Sequence, residues 1–422
     1  MSLQTVQNRG IYRGLPTFPD HVKGLTAIIT GANGISGQHM LRVLGQSPER
    51  WTKIYCLSRR PPMVPGGLPG NAEHVSLDFL KSPEEIAQTL KSKGVKADHI
   101  FFYSYIQVDP KPGQGLWSDA EEMTRVNVEL LTNFLESLTL ASIKPKRFML
   151  QTGAKQYAIH LGPAEVPSFE SDPRVTLESN FYYPQEDALF EWCRKQGVHW
   201  NVVRPSHIWG AVPDAAMNIG YPLAIYAAVQ AKLGRKLEFP GDMVAWQNPV
   251  VQSNAMMNSY IEEWAVLTDA AADEAFNAHD GAEFSFSRLW AKMAEWYGTE
   301  AKHPDDNAKY MEMKSPYSPP PRGYGEPGLT RVSFTLAQWA KQPEVLQAWK
   351  EIAKEHDLMD KELHDQDRIF GFADGVSMRH PLLLSSAKLR KLGFLGYVDT
   401  IDSVREVFEH FAKFKMIPPI PN

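Results

Sequence analysis

Three glycines at steps of three residues form the first group in this sequence that could carry chemistry. Gly31, Gly34 and Gly37 follow a short apolar run, Thr26 to Thr30, and precede a segment of helical character. In such a strand–turn–helix unit the first glycine permits a tight turn, the second lets the backbone approach a pyrophosphate, and the third lets the helix lie close to the sheet. An ordinary turn before a helix could show the same residues, but the flanking elements favour a dinucleotide-binding site.

Two arginines mark the tip of the second predicted strand, Lys53 to Ser58. In folds of this type that tip lies beside the adenosine ribose, where an acidic residue would bind the free hydroxyls of NAD. Here Arg59 and Arg60 follow Ser58, and guanidinium groups suit the extra 2′-phosphate of NADP. A solvated arginine pair before the Pro-rich loop of residues 61–70 is the alternative. The absence of Asp and Glu at the tip favours NADPH/NADP+ as the cofactor.

Further apolar strands alternate with helical segments, which is the order that a right-handed parallel sheet requires. The predicted strands are Val75 to Phe79, Ile100 to Tyr105 and Lys146 to Thr152, and the predicted helices span residues 82–93 and 118–141. Ligands of such sheets bind at the carboxyl ends of the strands. Asp78 and Phe79 are therefore expected beside the adenine. Tyr103, Ser104 and Tyr105 are expected near the nicotinamide end of the cofactor.

Length and composition indicate a soluble enzyme. The 422 residues are 43% hydrophobic, enough for one nucleotide-binding domain and a smaller second lobe. A formal net charge of −5 gives no reason to expect nucleic acid or a membrane as a partner. Two cysteines imply no disulfide framework, and no uncharged run reaches the roughly 18 residues that span a bilayer. Because the N-terminus also lacks a signal-peptide core, a cytoplasmic location is predicted.

Three segments are expected along the chain. Residues 1–23 are predicted to be an irregular leader, residues 24–210 an NADP-binding Rossmann domain, and residues 211–422 a mixed segment that completes the sheet and forms the substrate lobe. The chain also holds 11 Trp and 15 Met. Core packing accounts for such residues in general, and an apolar ligand pocket is the alternative.

The spacing Gly-x-x-Gly-x-x-Gly resembles that of short-chain dehydrogenases and reductases, which carry Tyr-x-x-x-Lys on a helix after the fifth strand. Here only Tyr310 has a lysine four residues on, Lys314, and the pair stands far downstream beside a Pro-rich stretch. We attribute this pair to chance. No cluster of His, Cys and carboxylates shows metal-ligand spacing, so no metal is expected.

Two other segments resemble the family of progesterone 5β-reductases and iridoid synthases, which are atypical extended members of that superfamily. Thr152 to Tyr157 matches the family's TG-x-K-x-Y motif, and Asn180 to Asp187 matches its NFYY-x-x-ED motif. Arg204 to Gly210 matches the sixth-strand pattern R-P-x-x-I-x-G. The likeness continues to the C-terminal helix and covers nearly the whole chain.

The resemblance implies an α/β fold, a Rossmann-type doubly wound parallel sheet with a smaller, mostly helical C-terminal substrate lobe. It also implies that Tyr182 and Lys155 are the catalytic residues. Positions in the matched motifs and in the glycine loop add further cofactor contacts: Asn33, Ile35, Thr152, Lys155, Tyr182, Pro205, Ser206 and Ile208. Tyr183, His39 and His207 are expected to serve in packing.

The chemistry of Lys155 and Tyr182 follows from their functional groups. Hydride addition to the β-carbon of an enone or enal puts negative charge on the carbonyl oxygen as an enolate. A phenol O–H aimed at that oxygen stabilises it where the charge develops. The Lys155 ammonium is expected to lower the pKa of the Tyr182 phenol and to hold the nicotinamide ribose.

Regions that border the substrate in this family depart from the plant members. The loop between Lys155 and Tyr182 is a few residues shorter, and residues 302–345 are longer and richer in proline. Residues 314–330 are predicted to be a surface excursion rather than a lid. The identity of the substrate is therefore not transferable beyond a small apolar molecule that contains a carbonyl group.

Three functions fit these residues. The first is NADPH-dependent reduction of activated C=C bonds in a medium-sized apolar substrate. The second is carbonyl reduction or epimerisation on the same fold. The third is an NADP-sensing regulator without turnover, against which the Lys155 and Tyr182 motifs argue. Either a monomer or a homodimer is expected.

Overall fold

A sheet of seven parallel strands forms the centre of the computed structural model, which describes residues 5–111, 117–214, 217–377 and 380–421. Numbered along the chain, the strands are β1 (Val6–Arg9), β2 (Tyr12–Pro16), β3 (Leu25–Thr30), β4 (Trp51–Ser58), β5 (Ala72–Ser76), β6 (His99–Phe102), β7 (Arg147–Gln151), β8 (His199–Pro205), β9 (Ile208–Trp209), β10 (Leu237–Glu238), β11 (Val250–Val251), β12 (Ser253–Asn254), β13 (Glu274–Ala278), β14 (Glu283–Phe284), β15 (Ala301–Lys302), β16 (Met311–Lys314) and β17 (Leu329–Val332). The α-helices are α1 (Ile35–Gly45), α2 (Pro83–Ser92), α3 (Ala120–Leu140), α4 (Tyr182–Gln196), α5 (Gly220–Lys232), α6 (Met243–Gln247), α7 (Ala255–Leu267), α8 (Phe286–Trp296), α9 (Leu336–Ala340), α10 (Pro343–Glu355), α11 (Gln366–Ser377), α12 (Ala387–Lys391) and α13 (Thr400–Lys413).

The order of strands in the sheet is β5-β4-β3-β6-β7-β8-β13. From β3 the chain adds β4 and β5 on one side. It then crosses to the other side of β3 and adds β6, β7, β8 and β13 there. A crevice forms where the order reverses, at the carboxyl ends of β3 and β6, and this is where doubly wound sheets bind dinucleotides. The predicted Rossmann-type parallel sheet is confirmed.

Successive side chains of each strand fill two separate cores, because neighbouring residues in a strand point to opposite faces. Ile29 and Phe101 are buried against α1 and α7 on one face. Ile28 and Ile100 are buried against α2, α3 and α4 on the other. Both faces of the sheet are thus covered, as a parallel sheet requires.

A third core lies outside the sheet and is built by helices of the C-terminal half. Its buried side chains come mainly from α5, α8, α9, α10, α11 and α13, with Trp290 and Trp349 among the largest. Not all of the later chain belongs to this helical lobe, because α7 packs on α1 and β13 pairs with β8 at the edge of the sheet.

The N-terminal residues form a hairpin, so the prediction of an irregular leader is wrong for this segment. β1 and β2 pair antiparallel, and Gly10, with a φ of +56°, makes the turn between them. Tyr12 is buried, and its hydroxyl donates a hydrogen bond to Glu406 at 2.6 Å. The Arg13 N–H donates to the carbonyl oxygen of Tyr397 at 2.9 Å. Partners near the C-terminus therefore order this segment.

Two predicted strands end earlier than expected. β5 stops at Ser76, so Asp78 and Phe79 lie in the turn after it, and β6 stops at Phe102. The Pro-rich stretch of residues 314–330 begins and ends in the antiparallel pair β16 and β17. Both strands are largely exposed, in agreement with a surface excursion.

Candidate active site

The glycine loop leaves room for a ligand at the first turn of α1. Gly31 has a φ of +59°, in the left-handed region, and a Cβ on it would lie 3.0 Å from the Tyr103 carbonyl oxygen. A Cβ on Gly37 would collide with the carbonyl oxygen of Gly31, so this glycine lets α1 approach its own loop. No side chain caps the first turn of α1, which also lacks acidic residues. Half-buried Asn33 lies in the loop just before α1, and half-buried Ile35 is the first residue of the helix. The loop therefore fits the pyrophosphate of a dinucleotide.

The tip of β4 presents the two arginines to solvent. The Ser58 hydroxyl is buried and donates to the carbonyl oxygen of Arg60 at 2.7 Å, which fixes the turn. Arg59 and Arg60 are exposed, and Arg60 Nη2 lies 3.6 Å from a carboxylate oxygen of Asp214. Asp214 also pairs with Arg368 of α11 at 2.5 Å. Arg60 thus already faces an anionic group in this structure.

Phe79 and Tyr103 do not direct their rings to the cofactor crevice as expected. The Phe79 ring is buried between Phe102 and Phe134, with centroid distances of 6.1 and 5.0 Å, so the ring itself serves in packing. The Tyr103 hydroxyl is hydrogen-bonded to Glu262 of α7 at 2.5 Å. Burial raises the pKa of Glu262 to about 8, so this buried carboxyl is neutral at pH 7.

The backbone after β6 nevertheless reaches the crevice. Thr30, at the end of β3, accepts hydrogen bonds through Oγ1 from the N–H groups of Tyr103 and Ser104, at 3.0 and 3.2 Å. Asp78 accepts a hydrogen bond from the Leu80 N–H at 3.0 Å, so part of its carboxylate is used in the turn. The side chain of Ser104 stays half-buried at the carboxyl end of the sheet.

Tyr182 is placed against the carboxyl ends of β7 and β8. It is the first residue of α4, and a Cβ on Gly153 would lie 3.1 Å from its hydroxyl oxygen and 3.5 Å from the Pro205 carbonyl oxygen. Glycine at position 153 therefore makes space for the phenol. Among the described residues, the buried Thr152 hydroxyl has no hydrogen-bond partner, and the backbone N–H of half-buried Tyr182 donates to the Asn180 side chain at 3.1 Å. An unpaired buried hydroxyl at a strand end is consistent with a site that a ligand completes.

Burial raises the pKa of Tyr182 well above its ordinary value, so the phenol is protonated at neutral pH. The expected lowering of this pKa by Lys155 is wrong for this structure, because burial alone shifts it. A protonated phenol can donate a hydrogen bond but cannot act as a base. The geometry therefore suits stabilisation of an oxyanion.

Lys155 lies in a one-turn 3-10 helix, Ala154–Tyr157, directly after β7. The side-chain amide of Asn180 donates to the Lys155 carbonyl oxygen at 3.1 Å and so joins the two sequence motifs. The ammonium lies 3.9 Å from Glu178 and 5.5 Å from the centroid of the Trp117 ring. The segments of Lys155 and Tyr182 thus lie next to each other.

Aromatic side chains from distant parts of the chain surround this pair. Trp117 donates from Nε1 to the Tyr105 hydroxyl at 3.2 Å and contacts Phe372 of α11 edge-on at 6.0 Å. Phe372 also contacts His207 at 6.3 Å. Sequence reasoning missed Trp117 and Phe372, because neither lies in a motif. The number of tryptophans was the only signal, and it favoured the core.

Tyr183 and the acidic end of the second motif hold the site together. Tyr183 is buried and donates to the Gln156 carbonyl oxygen at 2.7 Å, which agrees with the packing role expected for it. Glu186 is also buried and accepts hydrogen bonds from Arg204 at 2.9 Å and from Arg174 at 3.2 Å. Sequence reasoning assigned no role to Glu186, although the motif contained it.

Two of the remaining residues that were predicted to contact the cofactor, Ser206 and Ile208, make contacts within the fold. The Ser206 hydroxyl is buried and donates to the Val251 carbonyl oxygen at 2.6 Å. Ile208 belongs to β9, which pairs with β12. His39 is buried in α1, where burial lowers its pKa to about 3 and keeps the ring neutral, as a packing histidine requires.

The Tyr310 and Lys314 pair does not form a catalytic helix. Lys314 ends strand β16, and the Tyr310 hydroxyl donates to the Asp305 carbonyl oxygen at 3.0 Å on the surface. We expect Tyr310→Phe to keep turnover within about twofold and the free energy of unfolding within about 0.5 kcal/mol of the wild-type values. Steady-state kinetics and thermal denaturation measure both. A tenfold loss of turnover in a folded variant would contradict this expectation.

Comparison with known proteins identifies the family. The profile of the PRISE-like Rossmann-fold domain matches residues 27–315. The chain belongs to the PRISE-like Rossmann-fold family. This confirms the resemblance to progesterone 5β-reductases and iridoid synthases that the two motifs indicated, and it makes the protein an NAD(P)-dependent oxidoreductase of the short-chain dehydrogenase/reductase type.

The relatives of this PRISE-like protein include plant enzymes. A 3-oxo-Δ(4,5)-steroid 5β-reductase of Arabidopsis thaliana is 29% identical over 384 residues, which cover 87% of this chain and 87% of the relative. An (S)-8-oxocitronellyl enol synthase of Catharanthus roseus is 28% identical over 377 residues, covering 87% of this chain and 86% of the relative.

A comparison with a solved structure supports the fold of this PRISE-like chain and says nothing about its activity. The UDP-glucose 4-epimerase of Thermotoga maritima superposes with a TM-score of 0.57 at 13% identity, covering 92% of this chain and 99% of the epimerase. In the part of the chain that the structure describes, no group of three His, Cys, Asp or Glu residues could hold a metal ion. None of the described helices is long and apolar enough to cross a membrane.

Proposed function

We propose that this protein is an NADPH-dependent reductase of activated C=C bonds, acting on enones or enals in a medium-sized apolar substrate. The observation that carries the proposal is the Tyr182 phenol, which is protonated and lies at the carboxyl end of the sheet beside Gly153, two residues after Asn180, which binds the Lys155 carbonyl oxygen. The relatives named above as a steroid 5β-reductase and an enol synthase support the choice of reaction.

NADPH supplies the hydride when it is bound in the glycine loop. Tyr182 donates a hydrogen bond to the substrate carbonyl oxygen, which gains negative charge as the β-carbon is reduced. Lys155 provides an ammonium that can hold the nicotinamide ribose and offset negative charge nearby. An enolate is delocalised and less basic than an alkoxide, so a phenol that keeps its proton is sufficient to stabilise it. A proton taken from water at the α-carbon then gives the saturated carbonyl compound.

The walls of the site favour an apolar molecule. Trp117 and Phe372 are in edge contact, and the Phe181 ring lies 4.6 Å from that of Tyr182. These rings offer apolar area beside the Tyr182 phenol, and apolar walls with few polar groups are the usual composition of a small-molecule site. Because Phe372 comes from α11 and Trp117 from the segment before α3, the substrate would lie between the helical lobe and the sheet.

The test is product analysis of NADPH oxidation with a panel of enones, enals and ketones. Saturated carbonyl products are expected, because hydride reaches the β-carbon. Allylic alcohols would show that hydride reaches the carbonyl carbon and would overturn the proposal. Absence of turnover with tight NADPH binding would point to a binding protein instead.

The arginines at the tip of β4 predict a preference for NADPH over NADH. Charge-assisted hydrogen bonds are worth about 1.5–3 kcal/mol, but Arg59 and Arg60 are exposed, so solvent screening reduces this value. We expect Arg59→Ala/Arg60→Ala to weaken NADPH binding about 10- to 100-fold and to leave NADH binding almost unchanged. Fluorescence titration with both cofactors measures this. Equal affinity of the wild type for both would contradict the prediction.

A further inference from the structure

The Lys155 ammonium is nearly enclosed, and one acidic group faces it. Its side chain is 11% exposed, with the Trp117 ring on one side. Among the described residues, the Glu178 carboxylate is the single acidic group within 4 Å, at 3.9 Å. An ammonium in such surroundings depends on its partner both for its orientation and for its charge.

Glu178 is itself held in position. His160 Nε2 lies 3.1 Å from the same carboxylate oxygen that faces Lys155. The His160 ring also packs edge-on against Trp117 at 6.4 Å. Two residues further along, Asn180 binds the Lys155 carbonyl oxygen. The segment from Glu178 to Asn180 therefore holds Lys155 at both its backbone and its side chain.

We propose that Glu178, held by His160, is a positioning residue that orients the Lys155 ammonium and keeps it protonated. The proposal rests on the role given to Lys155 in the proposed function. A neutral amine would lose one of its three N–H donors and could not offset the negative charge of the reaction. No motif used to recognise the family contains Glu178 or His160.

The direction of the titration follows from the groups that face Lys155. Burial lowers the pKa of Lys155, and the Glu178 carboxylate opposes this effect. The hydrogen bond from His160 lowers the pKa of Glu178, and the Lys155 charge adds to that effect, so Glu178 is ionised at neutral pH. Among the described residues, the uncharged Trp117 indole also lies against Lys155. Removing the Glu178 charge must therefore lower the pKa of Lys155 further.

Glu178→Gln keeps the shape of the side chain and removes its charge. An opposite charge at this distance usually moves a pKa by about 1–3, and Glu178 is partly exposed, so we expect the pKa of Lys155 to fall by about 1. Glu178→Asp keeps the charge and should restore most of the wild-type value. Glu165→Gln is the matched control, because Glu165 lies on the same loop but contacts Tyr324, at 3.1 Å.

The pKa of Lys155 can be measured without a substrate, by the pH dependence of its acetylation in a competitive labelling experiment read by mass spectrometry. In steady-state kinetics, the loss of activity at high pH should move to lower pH by about 1 in Glu178→Gln, with activity recovered at lower pH. A uniform loss at every pH, with the labelling curve of Lys155 unchanged, would overturn the proposal. Failure of enone reduction would show in the products of the wild type, whereas failure of this proposal would show in the labelling curves.

Discussion

Tyr182→Phe is expected to lower turnover about 10²-fold while NADPH binding stays nearly intact. Loss of one oxyanion donor typically costs about 10²–10³ in rate, and the lower end applies here because an enolate carries a delocalised charge. The phenol acts as charge develops on the substrate, so its effect belongs to the transition state rather than to cofactor affinity. Stopped-flow hydride transfer and cofactor titration separate the two quantities.

Tyr183→Phe is the matched control for Tyr182→Phe. The Tyr183 hydroxyl donates to the Gln156 carbonyl oxygen and accepts from the Val175 N–H at 3.0 Å, so its loss should reduce stability by about 1–2 kcal/mol and leave turnover near the wild-type value. If Tyr183→Phe were the more impaired enzyme, the catalytic tyrosine would be assigned one residue too early. If neither variant lost activity, the site itself would be wrong.

Glu186→Gln is expected to destabilise the protein by about 3–5 kcal/mol. Glu186 and Arg204 are 2% and 5% exposed, and loss of the carboxylate leaves a buried guanidinium without its counter-charge. Chemical denaturation at neutral pH measures the free energy of unfolding. The change should appear even without cofactor, because the pair lies within the fold.

Asp187→Asn provides the matched comparison for Glu186→Gln. Asp187 pairs with Arg174 at 2.8 Å, but its side chain is 62% exposed, so its loss should cost no more than about 1 kcal/mol. Equal and small losses in both variants would show that water or a neighbouring group compensates Arg204. We therefore expect the acidic pair of the second motif to contain one residue that the fold requires, Glu186, and one of little consequence for stability, Asp187.

Local signals in the sequence were sufficient for the parts of the site that lie in continuous motifs. The glycine loop was predictable because Gly31 adopts a left-handed backbone conformation and Gly37 makes a close backbone contact. Both positions favour glycine over any residue that has a Cβ atom. Lys155 and Tyr182 were recognised by resemblance, and the structure brings their segments together through Asn180.

The expectations that failed concern residues whose structural partners lie far away in the chain. Phe79 was expected beside the adenine at the end of a strand, whereas the strand ends at Ser76 and the Phe79 ring enters the core. The Tyr103 ring turns toward Glu262 on α7, which no local pattern could indicate. The hairpin of residues 6–16 was missed because its partners, Glu406 and Tyr397, lie near the other end of the chain.

The last strand of the sheet has a consequence for how the protein is made on the ribosome. β8 finishes at Pro205, but its neighbour β13 begins only at Glu274. During synthesis, one edge of β8 therefore stays unpaired until β13 has been made. An unpaired strand edge can pair with strands of other chains. Nascent chains stalled between these two strands should be the species most prone to aggregate and most in need of chaperones.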